Sequence, residues 1–129
     1  MSELLRIEDL WVRFATRTGG EVAAVRGLNA SIGRERVGIV GESGSGKSMT
    51  GRAILRLIRP PGRASGRITF DGTDLTALSE RQMRRIRGQR ISMVMQDPKF
   101  SLNPVMRVGG QIEEAYRLHT GATARAARA

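Results

Sequence analysis

Eight residues, Gly41-Glu42-Ser43-Gly44-Ser45-Gly46-Lys47-Ser48, constrain this chain more than any other stretch. They fit the pattern G-x-x-x-x-G-K-[ST] at every fixed position. A loop of this composition can curl so that successive backbone N–H groups point inward, where a Cβ on a glycine would intrude. A helix expected to begin near Lys47 turns its positive dipole end toward the same point. The loop therefore reads as a cradle for a polyphosphate, with Lys47 reaching the β- and γ-phosphates and Ser48 able to ligate Mg²⁺. Chance supplies such a match in well under about 1% of chains this long.

The pattern around the loop fits that reading. Residues 4–14 alternate as a strand, with Leu10, Val12 and Phe14 on one face and Trp11 and Arg13 on the other. Thr18-Gly19-Gly20 marks a turn into a second strand over 22–32, so the chain opens as a β-hairpin. Val37-Gly38-Ile39-Val40 is a short apolar run of the kind buried on both faces of a parallel sheet. Arg36 stands directly before it. After the loop, residues 48–58 have helical spacing, with Ile54, Leu55 and Ile58 as a stripe, and Pro60-Pro61-Gly62 ends that helix. Residues 66–70 form a strand into the turn Asp71-Gly72. Ser79 with Gln82 suggests a capping box for a basic helix reaching about Arg87. Residues 91–95 read as a second buried strand, 96–104 as a loop, 105–118 as a helix and 121–129 as an Ala/Arg tail. Strand–loop–helix order after a hairpin implies an α/β fold, a parallel sheet carrying an antiparallel addition.

Composition excludes some classes. The 129 residues are enough for one modest core, and 40% hydrophobic with 26% charged residues is a globular balance. Without cysteine there is no disulfide framework, thiol nucleophile or cysteine metal site. No apolar run approaches the roughly 20 residues of a membrane span, and the N-terminal residues lack the pattern of a secretory leader. A cytoplasmic location is the simplest expectation. A net charge of +10 comes from 22 basic against 12 acidic residues. The basic residues are spread along the chain, so the charge alone selects no partner.

A phosphate loop does not by itself choose among kinases, GTPases, helicases and transporters. The surrounding residues do. The run from Val40 to Ser48, followed by Ile91-Ser92-Met93-Val94-Met95-Gln96-Asp97-Pro98 and Ser101-Leu102-Asn103-Pro104, resembles the ATP-binding subunits of ABC importers for oligopeptides, dipeptides and nickel. The resemblance runs from about Leu5 to about Glu114. It implies a partial P-loop NTPase core of ABC type, with an N-terminal antiparallel β subdomain and the start of a helical subdomain. The expected division is 1–95 for the β subdomain and P-loop core, 96–119 for the Q-loop and the start of the helical subdomain, and 120–129 for the tail. ATP and Mg²⁺ are the implied ligands. Gly41, Glu42, Ser43, Gly44, Ser45, Gly46, Lys47, Ser48 and Met49 would hold the nucleotide, with Phe14 stacking on adenine. Lys47 and Gln96 would serve catalysis, and Ser48 and Gln96 would meet the metal. The implied partners are transmembrane permease subunits, docked near residues 96–108, and a second ATP-binding subunit in a homo- or heterodimer. A solute-binding protein outside the cell would act indirectly, and nucleic acid is not expected. The implied location is the cytoplasmic face of the cell membrane, peripherally bound.

Other family parts are not found in the sequence. Val108-Gly109-Gly110-Gln111 ends like the signature L-S-G-G-Q but lacks its Leu and Ser, and reads as a helix start. Asp97 precedes Pro98 with no Glu after it, so it is not the acid of an Asp-Glu strand end. The single histidine, His119, reads as a surface residue rather than a switch. The chain thus resembles a truncated subunit, expected to bind ATP without turning it over alone. Two alternatives stand beside this reading. One is a small P-loop kinase using Asp97 or Asp71 as the Mg²⁺ acid. The other is a non-catalytic nucleotide- or nucleic-acid-binding fragment.

Overall fold

Alternation in the first strand is interrupted once, and the interruption shapes the sheet. In the computed structural model, which describes residues 2–129, β1 runs Leu5–Ala15 and pairs antiparallel with β2, Glu21–Ile32. Ile7, Leu10 and Val12 are all buried, although Ile7 and Leu10 are three residues apart. A strict period of two would put one of them on the solvent face. Asp9, at φ 48°, absorbs the odd residue as a bulge and restores the parity. Its amide donates to Asn29 Oδ1 at 2.9 Å, and its carboxylate accepts from Trp11 Nε1 at 2.9 Å. The partner strands yield at the same level. Gly27 has φ 62°, and Gly66, at φ 110°, passes so close to the Asp9 carbonyl that a Cβ would collide with it.

The other edge of β1 takes β3, Gly62–Phe70, and β3 turns into the short β4, Thr73–Asp74. The sheet order is β2-β1-β3-β4, antiparallel throughout. Asp71 and Gly72, at φ 47° and 80°, make the hairpin turn that the sequence announces. Ile68 and Phe70 join Ile7, Leu10, Val12 and Val25 in the core. Helix α1, Lys47–Ile54, lies against β1 and β2 and adds Ala53. Leu55 and Leu75, the latter from the 3₁₀ turn Leu75–Ala77, complete the core. Arg56 donates to the carbonyls of Leu75 (3.2 Å) and Leu78 (2.5 Å), tying the end of α1 to that turn.

The chain divides into two compact units, Met1–Ser79 and Glu80–Ala129. The second holds α2 (Glu80–Ile86), a 3₁₀ turn (Pro98–Ser101), α3 (Val108–Thr120) and α4 (Ala124–Arg128). Glu113 of α3 receives Arg128 Nε at 2.8 Å, which fastens α4 to α3.

Several expectations are corrected. Residues 37–40 form no strand: Val37, Ile39 and Val40 are 52%, 59% and 98% exposed. A parallel strand needs neighbours to take its N–H and C=O groups, and none of the described residues pairs with this run. The expected strand over 91–95 reduces to one parallel bridge between Arg87 and Ile91. No parallel sheet is therefore present among the described residues. The helix after the loop ends at Ile54 rather than Ile58, where Arg56 enters positive φ. The Ala/Arg tail contains α4, capped by the Thr123 hydroxyl on the amide of Ala126 at 3.2 Å. His119 keeps its place at the surface, half-buried against the turn at Gly88.

Candidate functional site

The loop at 41–46 is shaped by three constraints, each traceable to a residue. Gly44 and Gly46 have φ of 82° and 95°, a region L side chains avoid. A Cβ on Gly46 would also lie 2.5 Å from the Ala24 carbonyl and 3.3 Å from Val25 Cγ2. Glycine is thus required there twice, for its dihedral and for the approach of β2. Thr50, buried on α1, supplies the third constraint: its hydroxyl and its amide both bond the Gly46 carbonyl at 2.9 Å. Sequence reasoning missed Thr50. The signal available was a threonine four residues after the last glycine, the spacing of a side chain that bonds back along a helix.

Lys47 closes the loop from within. Its ammonium donates to the carbonyls of Gly41 (2.5 Å) and Glu42 (2.6 Å) and to Ser45 Oγ (3.2 Å). Those bonds draw the start of the loop to the first residue of α1, and the Ser45 amide adds a bond to the Glu42 carbonyl at 3.1 Å. The first turn of α1 contains no acidic residue, so its positive end is not neutralised by a carboxylate of its own. Gly41, Glu42, Ser43, Gly44, Ser45 and Ser48 are exposed, while Gly46, Lys47 and Met49 are half-buried. The loop borders a largely apolar groove of about 730 Å³, whose wall includes Val25, Ile39, Gly44, Ser45, Gly46 and Lys47. Chemically the arrangement offers an anion one ammonium, which here is bonded to loop oxygens, and a helix terminus at a solvent-accessible surface. The Ser48 hydroxyl adds an oxygen donor of the kind a hard cation accepts.

Phe14 is half-buried near the end of β1, opposite Val22 on one side and Gly62 on the other. Its ring leans over Gly62, where a Cβ would come within 2.5 Å of Phe14 Cε1. Gln96 belongs to the second unit and is exposed just before the Pro98–Ser101 turn. Asp97 is exposed too, and its carbonyl accepts from the Phe100 amide at 3.1 Å. Asp71 occupies the β3–β4 turn. Among the described residues no cluster of three His, Cys, Asp or Glu side chains is placed to hold a metal, and no helix is long and apolar enough to cross a membrane.

Fold and loop together define a chain of α/β type that carries a P-loop sequence between β2 and α1. Comparison with known families makes the class specific: the profile of the ABC transporter family matches residues 25–129, and the chain belongs to that family. That membership displaces the small-kinase alternative. Among curated proteins, the oligopeptide transport ATP-binding protein OppD of Bacillus subtilis (strain 168) is 48% identical over 131 residues, 99% of this chain and 36% of that protein. OppD of Salmonella typhimurium (strain LT2) is 49% identical over 119 residues, 92% of this chain and 35% of its own length. OppD of Escherichia coli (strain K12) is 48% identical, with 90% and 34% covered. The chain therefore spans about a third of the length of these relatives.

Proposed function

We propose that this chain is the nucleotide-holding part of an ABC importer ATP-binding subunit serving peptide uptake. The observation that carries this is the loop closed by Lys47 on a helix whose first turn bears no acid. The OppD relatives, described as oligopeptide transport ATP-binding proteins, supply the solute class. Amides of residues 43–48 and the Lys47 ammonium would hold the phosphates of ATP, and Ser48 would take Mg²⁺. Bound Mg²⁺ would neutralise phosphate charge. Phe14 would receive the adenine face, and Met49 would line the site.

In this reading residues 96–108 meet transmembrane permease subunits at the cytoplasmic face of the membrane. A second ATP-binding subunit would complete each site, and a solute-binding protein would act through the permease. The 129 residues carry no Asp-Glu strand end and no L-S-G-G-Q, so the chain by itself binds ATP without appreciable turnover.

Titration with MgATP by calorimetry tests the site. Charge-assisted bonds to the phosphates imply that Lys47→Ala lowers affinity by about ten- to a hundredfold. Equal affinity in the two proteins would remove the loop from nucleotide binding.

A further inference from the structure

The run Val108-Gly109-Gly110-Gln111 opens α3, but its glutamine does more than occupy a helical position. Gln111 Oε1 accepts from the Asn103 amide at 2.9 Å, and Gln111 Nε2 donates to the Asn103 carbonyl at 3.0 Å and the Met106 carbonyl at 3.1 Å. One side-chain amide thus pairs both backbone groups of Asn103, as a neighbouring strand would. Asn103 adds two bonds of its own: its Oδ1 accepts from the Val105 amide at 3.1 Å, and its carbonyl from the Met106 amide at 3.2 Å.

All residues from 101 to 110 are exposed, so no apolar burial fixes the loop. Gly109 and Gly110 weaken the first helical turn, and a Cβ at either would meet nothing within 4 Å. Only a glutamine combines this reach with a donor and an acceptor: glutamate lacks the donor, lysine and arginine lack the acceptor, and asparagine is shorter.

We infer that Gln111 is a positioning residue that sets the shape of the 102–106 loop through Asn103 and so presents Leu102, Val105 and Met106 as one preformed apolar surface. These side chains are 44%, 88% and 45% exposed. A surface held in one conformation before contact loses less conformational freedom on binding. The role for that surface rests on the proposal that residues 96–108 meet the membrane subunits; the clamp itself does not.

Residue-resolved amide hydrogen exchange on the 129-residue chain tests the clamp. Gln111→Met keeps the length and removes the amide. The Asn103 amide should then exchange at least about tenfold faster, while amides from Glu114 to Thr120 keep their rates. An unchanged Asn103 rate would overturn the inference, and so would faster exchange in α3 alone, which marks a helix role only. Gln111→Glu keeps the length but sets an acceptor-only oxygen against the Asn103 and Met106 carbonyls, so the Asn103 amide should exchange faster there as well; retained protection in the Glu variant would also overturn it. MgATP affinity should be unaffected by Gln111→Met, and a parallel fall would show the residue acting through the nucleotide site instead. Failure of the clamp is thereby separable from failure of the nucleotide site, which Lys47→Ala reports.

Discussion

At Gly46 a side chain is barred by the Ala24 carbonyl, and at the next residue a side chain is indispensable, because the Lys47 ammonium gathers the loop's first carbonyls. The motif spacing encodes this alternation, which is why the loop is readable without coordinates. Phe14 is a different case. Its place near the end of β1 follows from alternation, but its lean over Gly62 depends on a residue 48 positions away, which no local pattern reports. If its ring receives adenine, its contribution belongs to the base and not to the phosphates. Aromatic stacking of about 0.5–1.5 kcal/mol implies that Phe14→Ala weakens ATP binding about two- to tenfold. Inorganic tripolyphosphate, which has no base, should bind both proteins equally in the same calorimeter. Matching losses for the two ligands would assign Phe14 to the sheet alone.

Elements that find a ladder partner or carry local turn and helix signals follow the pattern, and two apolar runs without a ladder partner do not. The β1–β2 hairpin, the Asp71-Gly72 turn, the start of α2 after Ser79 and the α3 start at Val108 are local consequences of alternation, turn residues and helix signals. Residues 37–40 and 91–95 carry the same kind of apolar signal, yet a strand exists only where a ladder partner accepts it. The bulge at Asp9 was illegible for a related reason, since it is fixed jointly by Asn29, Gly27 and Gly66. The 3₁₀ turn after β4 is a local device with a measurable electrostatic signature. Hydrogen bonding from the Thr76 hydroxyl holds the Asp74 carboxyl below the ordinary aspartate range, and burial opposes it. The Thr76 amide, Arg67 and the Ala77 amide add to the lowering. A carboxyl lowered on folding stabilises the native state above its unfolded value, and that stability disappears as pH falls through the folded value. Asp74→Ala should therefore cost about 1 kcal/mol near neutral pH, as loss of a cap does. The gap between variant and parent urea midpoints should narrow below about pH 4. A gap of the same size in acid would mean that the charge of Asp74 contributes nothing.

On the scale of the whole molecule, the first unit has a continuous core under its sheet, while apolar residues stand exposed beside the loop and along α3. Ile112, Tyr116 and Leu118 are 64%, 52% and 75% exposed on α3, and Val40 is almost wholly exposed beside the loop. Exposed apolar runs of this kind are association surfaces. The +10 charge opposes association at low salt, and screening relaxes that opposition as the Debye length shortens to about 10 Å near 0.1 M salt. Residues 37–40 make no ladder bond and contribute nothing to the buried core, so replacing their side chains should leave the fold intact. The combined variant Val37→Thr, Ile39→Thr, Val40→Lys is expected to unfold within about 0.5 kcal/mol of the parent, as substitutions at exposed sites do. Its light scattering at raised salt should fall well below the parent's, because the apolar wall next to Lys47 has been made polar. A destabilisation of several kcal/mol would show that this run is packed in solution, and that the strand read from its sequence forms there after all.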